Sequence, residues 1–353
     1  MKKKLLVFLI AIAMLLSFGV CSGAEQSSDE LTNAISDPVP LTKSTTASSP
    51  ITIIDQAGRT VEVGDVETIV VCWYMADDFV LAMGLGDKLV AIGPYDDFHL
   101  LVKPDIPDLD TVGRGRPDME KLASVNPDLF IHTIGDKDNV EAVEALGIPM
   151  IQIDPETIEK TLDAYKLVGQ ATGTYDRALM LENIYYDIVN DATEIIGDTA
   201  QEDRPSFVIL GSEPGKIADG KMMQAVMITN GGGVNVAAEK EGDGFWPNVG
   251  VEQVFAWDPD YILISQTADY GVEDIVNDPA WSDLKAVKNN NVFKIPGSLH
   301  NWENPGMGTA LGTLWAAKTF FPGAYSDEEF DNTVKEFYKT IYNIDVTSEI
   351  IGY

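Results

Sequence analysis

A thirteen-residue stretch occurs twice in this chain, and few folds accommodate both copies. The first copy reads Met119-Glu120-Lys121-Leu122-Ala123-Ser124-Val125-Asn126-Pro127-Asp128-Leu129-Phe130-Ile131, and the second Val251-Glu252-Gln253-Val254-Phe255-Ala256-Trp257-Asp258-Pro259-Asp260-Tyr261-Ile262-Leu263. Glu, Pro and Asp recur at a constant offset of 132 residues, and the apolar positions keep step. Each copy predicts a short helical turn carrying one acid and stopped by Pro, because Pro disfavours helix in the residue before it. The apolar run that follows has the pattern of a strand buried on both faces, as in a parallel sheet. The flanks match as well, with Gly147–Asp154 after the first copy and Asn291–Pro296 after the second. Two like α/β lobes are the expectation.

The 353 residues are enough for two domains with real cores. The N-terminus carries Lys2-Lys3-Lys4, an apolar run from Leu5 to Leu16 and the small residues Ser22-Gly23-Ala24. That order is a secretory signal over 1–24, and the run is shorter than the ~20 residues a membrane span needs. Cys21 raises lipid anchoring, although Val20 and Phe18 match a lipobox poorly. Without the leader the chain has 21 basic and 56 acidic residues, a net charge of −35. Such a surface repels nucleic acid and anionic membrane, so a nucleic-acid role is not expected. Cys72 is then the remaining thiol, which leaves no internal disulfide, and it has the character of a small buried hydrophobe.

Residues 25–50, rich in Ser, Thr, Asp and Pro, predict a flexible spacer. Ordered structure is expected from a hairpin over 51–63, then strands at 69–72, 89–93 and 150–153, and helices at 77–83 and 140–146. From Tyr175 to Ile196 there is no Pro or Gly, and apolar residues recur at helical spacing. A rod of about 22 residues would be roughly 33 Å long, which suits a connector between lobes. A second lobe follows, with a strand at 206–211, a helix ending at Asn230-Gly231-Gly232-Gly233, and helices near 309–320 and 327–342. The expected division is 51–173 for the N-terminal lobe, 174–197 for the connecting helix and 204–353 for the C-terminal lobe.

Taken in order, several segments resemble a known family. They are Asp55 to Thr60, Leu85-Gly86-Asp87-Lys88-Leu89-Val90, Glu120 to Asp128, Ala145-Leu146-Gly147-Ile148-Pro149, Gly232-Gly233-Val234-Asn235-Val236, Trp246 to Asp260, and Asp278-Pro279-Ala280-Trp281. Any one is weak evidence; their order and spacing over residues 51–322 is strong. The chain resembles the periplasmic-type solute-binding proteins of ABC importers that handle iron–siderophore complexes, haem and cobalamin. The resemblance implies an α/β fold of two Rossmann-like lobes joined by a single long helix, with the ligand in the cleft between them and limited hinge motion. It implies a monomer working with a dimeric ABC permease at the membrane, outside the cytoplasm, and no cofactor beyond the cargo.

Glu120 and Glu252 occupy the positions at which that family places one acid per lobe to dock onto permease arginines, a strong and directional contact. The plainer alternative is that each acid stabilises its helix's N-terminus. Cleft candidates are Trp73, Tyr74, Tyr95, Arg114, Arg116, Trp246, His300 and Trp302, of which Tyr95 and Trp246 stand at ligand-contacting family positions. Aromatic faces would bury the rim of a chelate, and arginine forks would pair its carboxylate or catecholate charge. Core packing is the alternative for each Trp. Glu213, Lys216 and Gln266 lie in loops that could rim the same cleft. Because Arg114 and Arg116 stand in a Gly loop of a base-poor chain, an anionic chelate, most simply a ferric siderophore, is expected ahead of cobalamin or haem. Direct transition-metal binding would draw on His99, His132 and His300 with a carboxylate, but no two of these have compact ligand spacing. Catalysis is not expected: no P-loop, Gly-x-Ser-x-Gly elbow or His-Glu-x-x-His pair occurs, and Gly231-Gly232-Gly233 follows a helix instead of opening one.

Overall fold

The structure is a computed structural model that describes residues 49–73, 75–135, 137–240 and 246–353. The leader and nearly all of the spacer expected above lie outside the described residues. Strands β1 (Ile51–Ile54) and β2 (Thr60–Val63) form an antiparallel hairpin. Asp55 fastens it to the body: its carboxylate meets Arg59 at 2.7 Å and accepts from the Gln152 backbone N–H at 3.1 Å. Arg59 in turn donates to the Met150 carbonyl at 2.8 Å. The Asp55–Thr60 segment is therefore a structural clasp.

Strands β3 (Ile69–Val71), β4 (Leu89–Ile92), β5 (Asp110–Thr111), β6 (Leu129–Thr133) and β7 (Met150–Ile153) make a parallel sheet in the order β5-β4-β3-β6-β7. Strands β8 (Ser206–Leu210), β9 (Val234–Asn235), β10 (Tyr261–Ile264) and β11 (Val292–Lys294) make a second one in the order β11-β10-β8-β9. Both are doubly wound, with the chain reversing its direction of growth at β3/β6 and at β8/β10. In such sheets ligands bind beyond the carboxyl ends of the strands at those points.

The two copies of the repeat adopt one geometry. Helices Met119–Val125 and Val251–Trp257 end on Asn126 (φ 47°) and Asp258 (φ 42°), both left-handed and both followed by Pro. Asp128 then accepts from the Thr68 N–H and hydroxyl at 2.8 Å each, just before β3. Asp260 accepts from the Ser206 N–H at 2.9 Å and its hydroxyl at 2.7 Å, at the start of β8. One carboxylate per lobe thus sets the register of the central strand pair, which explains why Pro-Asp recurs with the helix.

The long helix spans Tyr175–Ile196 as expected. Helix Ile158–Thr172, which precedes it, was absent from the expected elements. The strands alternate faces with period two. Val70, Phe130, Val208 and Ile262 go to two separate outer cores. Ile69, Val71, Ile131, Phe207, Ile209 and Leu263 join one continuous central core with the long helix and helices Gly308–Phe320 and Asp327–Tyr342. The inner faces of both lobes therefore share a hydrophobic seam.

Candidate functional site

The carboxyl ends of both sheets carry most of the expected cleft residues. Beyond β3, Trp73 is half-buried against the central core, while Tyr74 lies outside the described residues. Beyond β4, Tyr95 is 38% exposed. Beyond β5, the turn 113–117 crosses the end of β3, where the Gly115 N–H donates to the Cys72 carbonyl at 2.7 Å. Gly113 has φ 124°, and a Cβ there would lie 2.0 Å from the Arg116 carbonyl oxygen, so the turn requires glycine. Arg114 and Arg116 flank Gly115, both exposed and neither in an ion pair among the described residues. In the other lobe, the Trp246 ring lies across Gly211 at the end of β8, where a Cβ would come within 2.5 Å of the indole. Tyr270 fixes the same peptide by donating to the Gly211 carbonyl at 2.8 Å. Trp246 itself is left-handed at φ 60°, a strained conformation for an aromatic residue.

A buried polar knot lies where the first lobe meets the loop after β11. Asp78 accepts from the Tyr342 hydroxyl at 2.6 Å and the Tyr165 hydroxyl at 3.4 Å, and its Oδ1 lies 3.5 Å from His300 Nε2. Burial works against its charge, but His300 and the Tyr342 hydroxyl hold the carboxyl below the usual range. The His300 ring stacks on Phe98 with centroids 4.0 Å apart. Beside it, His99 lies 2.6 Å from Asp96 and 3.2 Å from Asp77, the second contact being off line for a hydrogen bond. Burial pulls the His99 imidazole down, yet the close contacts with Asp77 and Asp96 and the charges of both hold it up at about 10. Asp77 is raised by burial against the pull of His99. A cavity of about 70 Å³ opens here, lined by Asp78, Asp96, Phe98, His99, His300 and Asn301 among others.

One expectation needs correction. Trp302 is not at the cleft: it is fully buried, donates to the Tyr338 hydroxyl at 2.9 Å and packs on Phe330. The three histidines weighed as the metal-binding alternative do not converge. His132 is buried 3.8 Å from Cys72 Sγ, while His99 and His300 belong to the knot and engage its carboxylates. Among the described residues no group of three or more His, Cys, Asp or Glu is arranged to hold a metal ion.

Other expected positions are loop or surface residues. Glu213 and Lys216 pair at 3.5 Å, and Gln266 donates to Ser298 at 2.8 Å. Glu120 and Glu252 are exposed in the first turns of their helices and form no ion pair among the described residues. Sequence reasoning missed Asp77, Asp78, Phe98 and Glu303. The legible hint was Asp96-x-x-His99, in which Asp96 caps the helix by accepting from the Phe98 and His99 backbone N–H.

Residues 69–299, well over half the chain, match the family model described as periplasmic binding protein. The chain belongs to that family. Like this periplasmic binding protein, a solved periplasmic solute-binding protein from Veillonella parvula is built of the same elements, with a TM-score of 0.76 over 86% of this chain and 96% of that one at 24% identity. Among curated relatives, the molybdate-binding protein MolA of Haemophilus influenzae is 30% identical over 148 residues, 42% of this chain and 41% of the relative. The vitamin B12-binding protein of Yersinia pestis is 26% identical over 193 residues, 54% of this chain and 66% of the relative. The matches thus span less than two thirds of those relatives' own length. Among the described residues no helix is long and apolar enough to cross a membrane.

Proposed function

We propose that this is an extracytoplasmic solute-binding protein that delivers an anionic metal chelate, of ferric-siderophore type, to an ABC importer. The observation that carries the reading is the Arg114–Arg116 turn. In a protein of net charge −32, two exposed arginines with no carboxylate partner among the described residues sit on a glycine turn at the carboxyl end of β3. Opposite charge on the cargo is what such a fork selects. Trp73, Tyr95 and Trp246 supply aromatic surface for its rim. The cleft is that between lobes 51–173 and 204–353, with helix 174–197 as the rigid connector. Glu120 and Glu252 are the acidic handles that meet arginines on the two permease subunits, one per lobe. Residues 1–24 export the chain, and 25–50 tether or space it.

A second reading, binding of a small oxyanion, is favoured by the 30% identity to the molybdate-binding relative. Both follow from the arginine turn, and they differ in ligand size. The test is tryptophan-fluorescence titration of the purified protein with a ferric tris-catecholate, cyanocobalamin, molybdate and Ni²⁺, together with mass spectrometry of whatever co-purifies. The chelate should quench, and Arg114→Ala should weaken it by ~1–3 kcal/mol, the range for a charged hydrogen bond. Saturation by Ni²⁺ alone, or by cyanocobalamin with no effect of Arg114→Ala, refutes an anionic cargo. Saturation by molybdate alone selects the second reading.

A further inference from the structure

Glu303 is 1% exposed, in the loop after β11. Its Oε2 accepts from the Gln266 backbone N–H at 2.5 Å and from the Ser265 hydroxyl at 3.1 Å. Its Oε1 is buried without a hydrogen-bond partner among the described residues. Ser265 and Gln266 open the loop after β10, so a single carboxyl joins two neighbouring loops at the carboxyl end of the second sheet. Gln266 Nε2 joins them again by donating to Ser298 Oγ at 2.8 Å. Within its own loop, the Glu303 N–H donates to Asn301 Oδ1 at 2.9 Å. Asn301 and His300 line the polar cavity between the lobes. The wall of that cavity is therefore anchored through Glu303.

We propose that Glu303 is a proton-linked positioning residue: neutral, it clamps the His300–Asn301 loop against the Gln266 loop, and ionised, it lets the two loops part. A carboxyl with one oxygen facing no donor tolerates the neutral form and is penalised as an anion, because a buried charge needs its lone pairs satisfied. The charged group that acts on it is Lys294 on β11, whose ammonium is already held by the Ala268 carbonyl at 2.8 Å and the Tyr270 carbonyl at 3.3 Å. Burial pushes the Glu303 carboxyl up to about 7, against the bonds from Gln266 and Ser265 and the charge of Lys294. Opening exposes the carboxyl to water and returns it to the ordinary value of 4.5. The clamp is therefore strongest below pH 4.5, weakens as pH rises towards 7 and levels off above it. Linkage between those two values makes opening about tenfold more favourable at pH 8 than at pH 6.

The consequence for binding rests on the cleft reading above; the clamp itself does not. Hydrogen exchange, corrected for intrinsic rates, on peptides covering 265–271 and 298–305 needs no ligand. Wild type should lose about tenfold in protection between pH 6 and pH 8. Glu303→Gln, which keeps an acceptor for Gln266 and Ser265 and cannot ionise, should hold the same protection at both. Glu303→Ala should be poorly protected at both. Equal protection of wild type at the two pH values, or a pH dependence that survives in Glu303→Gln, overturns the proposal. In a second arm, affinity for the ferric tris-catecholate should fall between pH 6 and 8 in wild type beyond any fall seen in Glu303→Gln. No difference between the two proteins there, with the exchange result intact, overturns the coupling of clamp to cleft and leaves the cargo reading standing. Absence of binding by either protein counts against the cargo reading alone.

Discussion

Raising the pH from 7 to 10.5 should loosen the first lobe through one residue, His99. The imidazole is 7% exposed and sits between Asp96 at 2.6 Å and Asp77 at 3.2 Å. Its proton is held to about 10, against an ordinary value of 6.5. A folded-state value above the unfolded one gives stability that is complete below pH 6.5 and is lost as pH rises through 10. The ceiling, 3.5 units at 1.36 kcal/mol each, is ~5 kcal/mol. Burial also raises the Asp77 carboxyl, which opposes folding above pH 3.8. We expect a net fall of ~2–4 kcal/mol over the window. His99→Gln removes the cation and leaves a buried carboxylate, which should cost ~3–5 kcal/mol at pH 7. Urea melts of both proteins at pH 7, 9 and 10.5 separate this residue from the tyrosines and lysines that titrate in both. Wild type should lose stability faster than the variant as pH rises. Parallel curves would refute the reasoning, since they would mean that the ring carries no extra proton in the folded state.

Two further outcomes test the cleft and the handles. Gly211→Ala places a methyl within 2.5 Å of the Trp246 indole, so the ring must leave the end of β8; affinity for the chelate should drop by ~1–3 kcal/mol with a change in tryptophan emission. An unaltered emission spectrum would show that the indole does not rest on that glycine. Glu120→Ala with Glu252→Ala should abolish uptake by the reconstituted importer and leave chelate affinity intact, since both carboxylates are exposed and bear no packing. Uptake at the wild-type rate would remove the docking role.

Much of the fold was legible because the relevant signals are local. Pro127 and Pro259 stop their helices whatever surrounds them, and the run from Tyr175 to Ile196 has no breaker, so its extent was readable to within a residue or so. Helix Ile158–Thr172 was not, because its reason is tertiary. Gly169 lies near its end where a Cβ would touch the Tyr175 backbone at 2.9 Å, so the residue that weakens the pattern permits the corner into the next helix. The knot was opaque for a related cause. Asp77 and Asp78 stand in the first turn of a helix, where acids ordinarily face water and favour the dipole, yet all seven residues of Ala76–Ala82 are buried. Among 56 acidic residues nothing in sequence separates a buried carboxylate from a solvated one. Trp302 failed in the opposite direction: proximity to His300 suggested the cleft, but its indole turns into the core towards Tyr338.

The knot also bears on how such a cleft selects its guest. For the lobes to swing apart, the central core they share would have to open, or Asp78 would have to give up Tyr342, Tyr165 and His300. Gly306 is packed so tightly on the same carboxylate that a Cβ would lie 2.5 Å from its oxygen. Arg177, on the connecting helix, adds a second tie by donating to the Ala82 carbonyl at 3.0 Å and the Ile341 carbonyl at 2.6 Å. On the proposed function, recognition would fall to side chains and loops moving on this frame: the arginine turn at 113–117, Tyr95, and Trp246 on its glycine. A frame this stiff also fixes the spacing between Glu120 and Glu252, so a transporter that reads both would register the occupied cleft through loop order and not through a change in the distance between its two contacts.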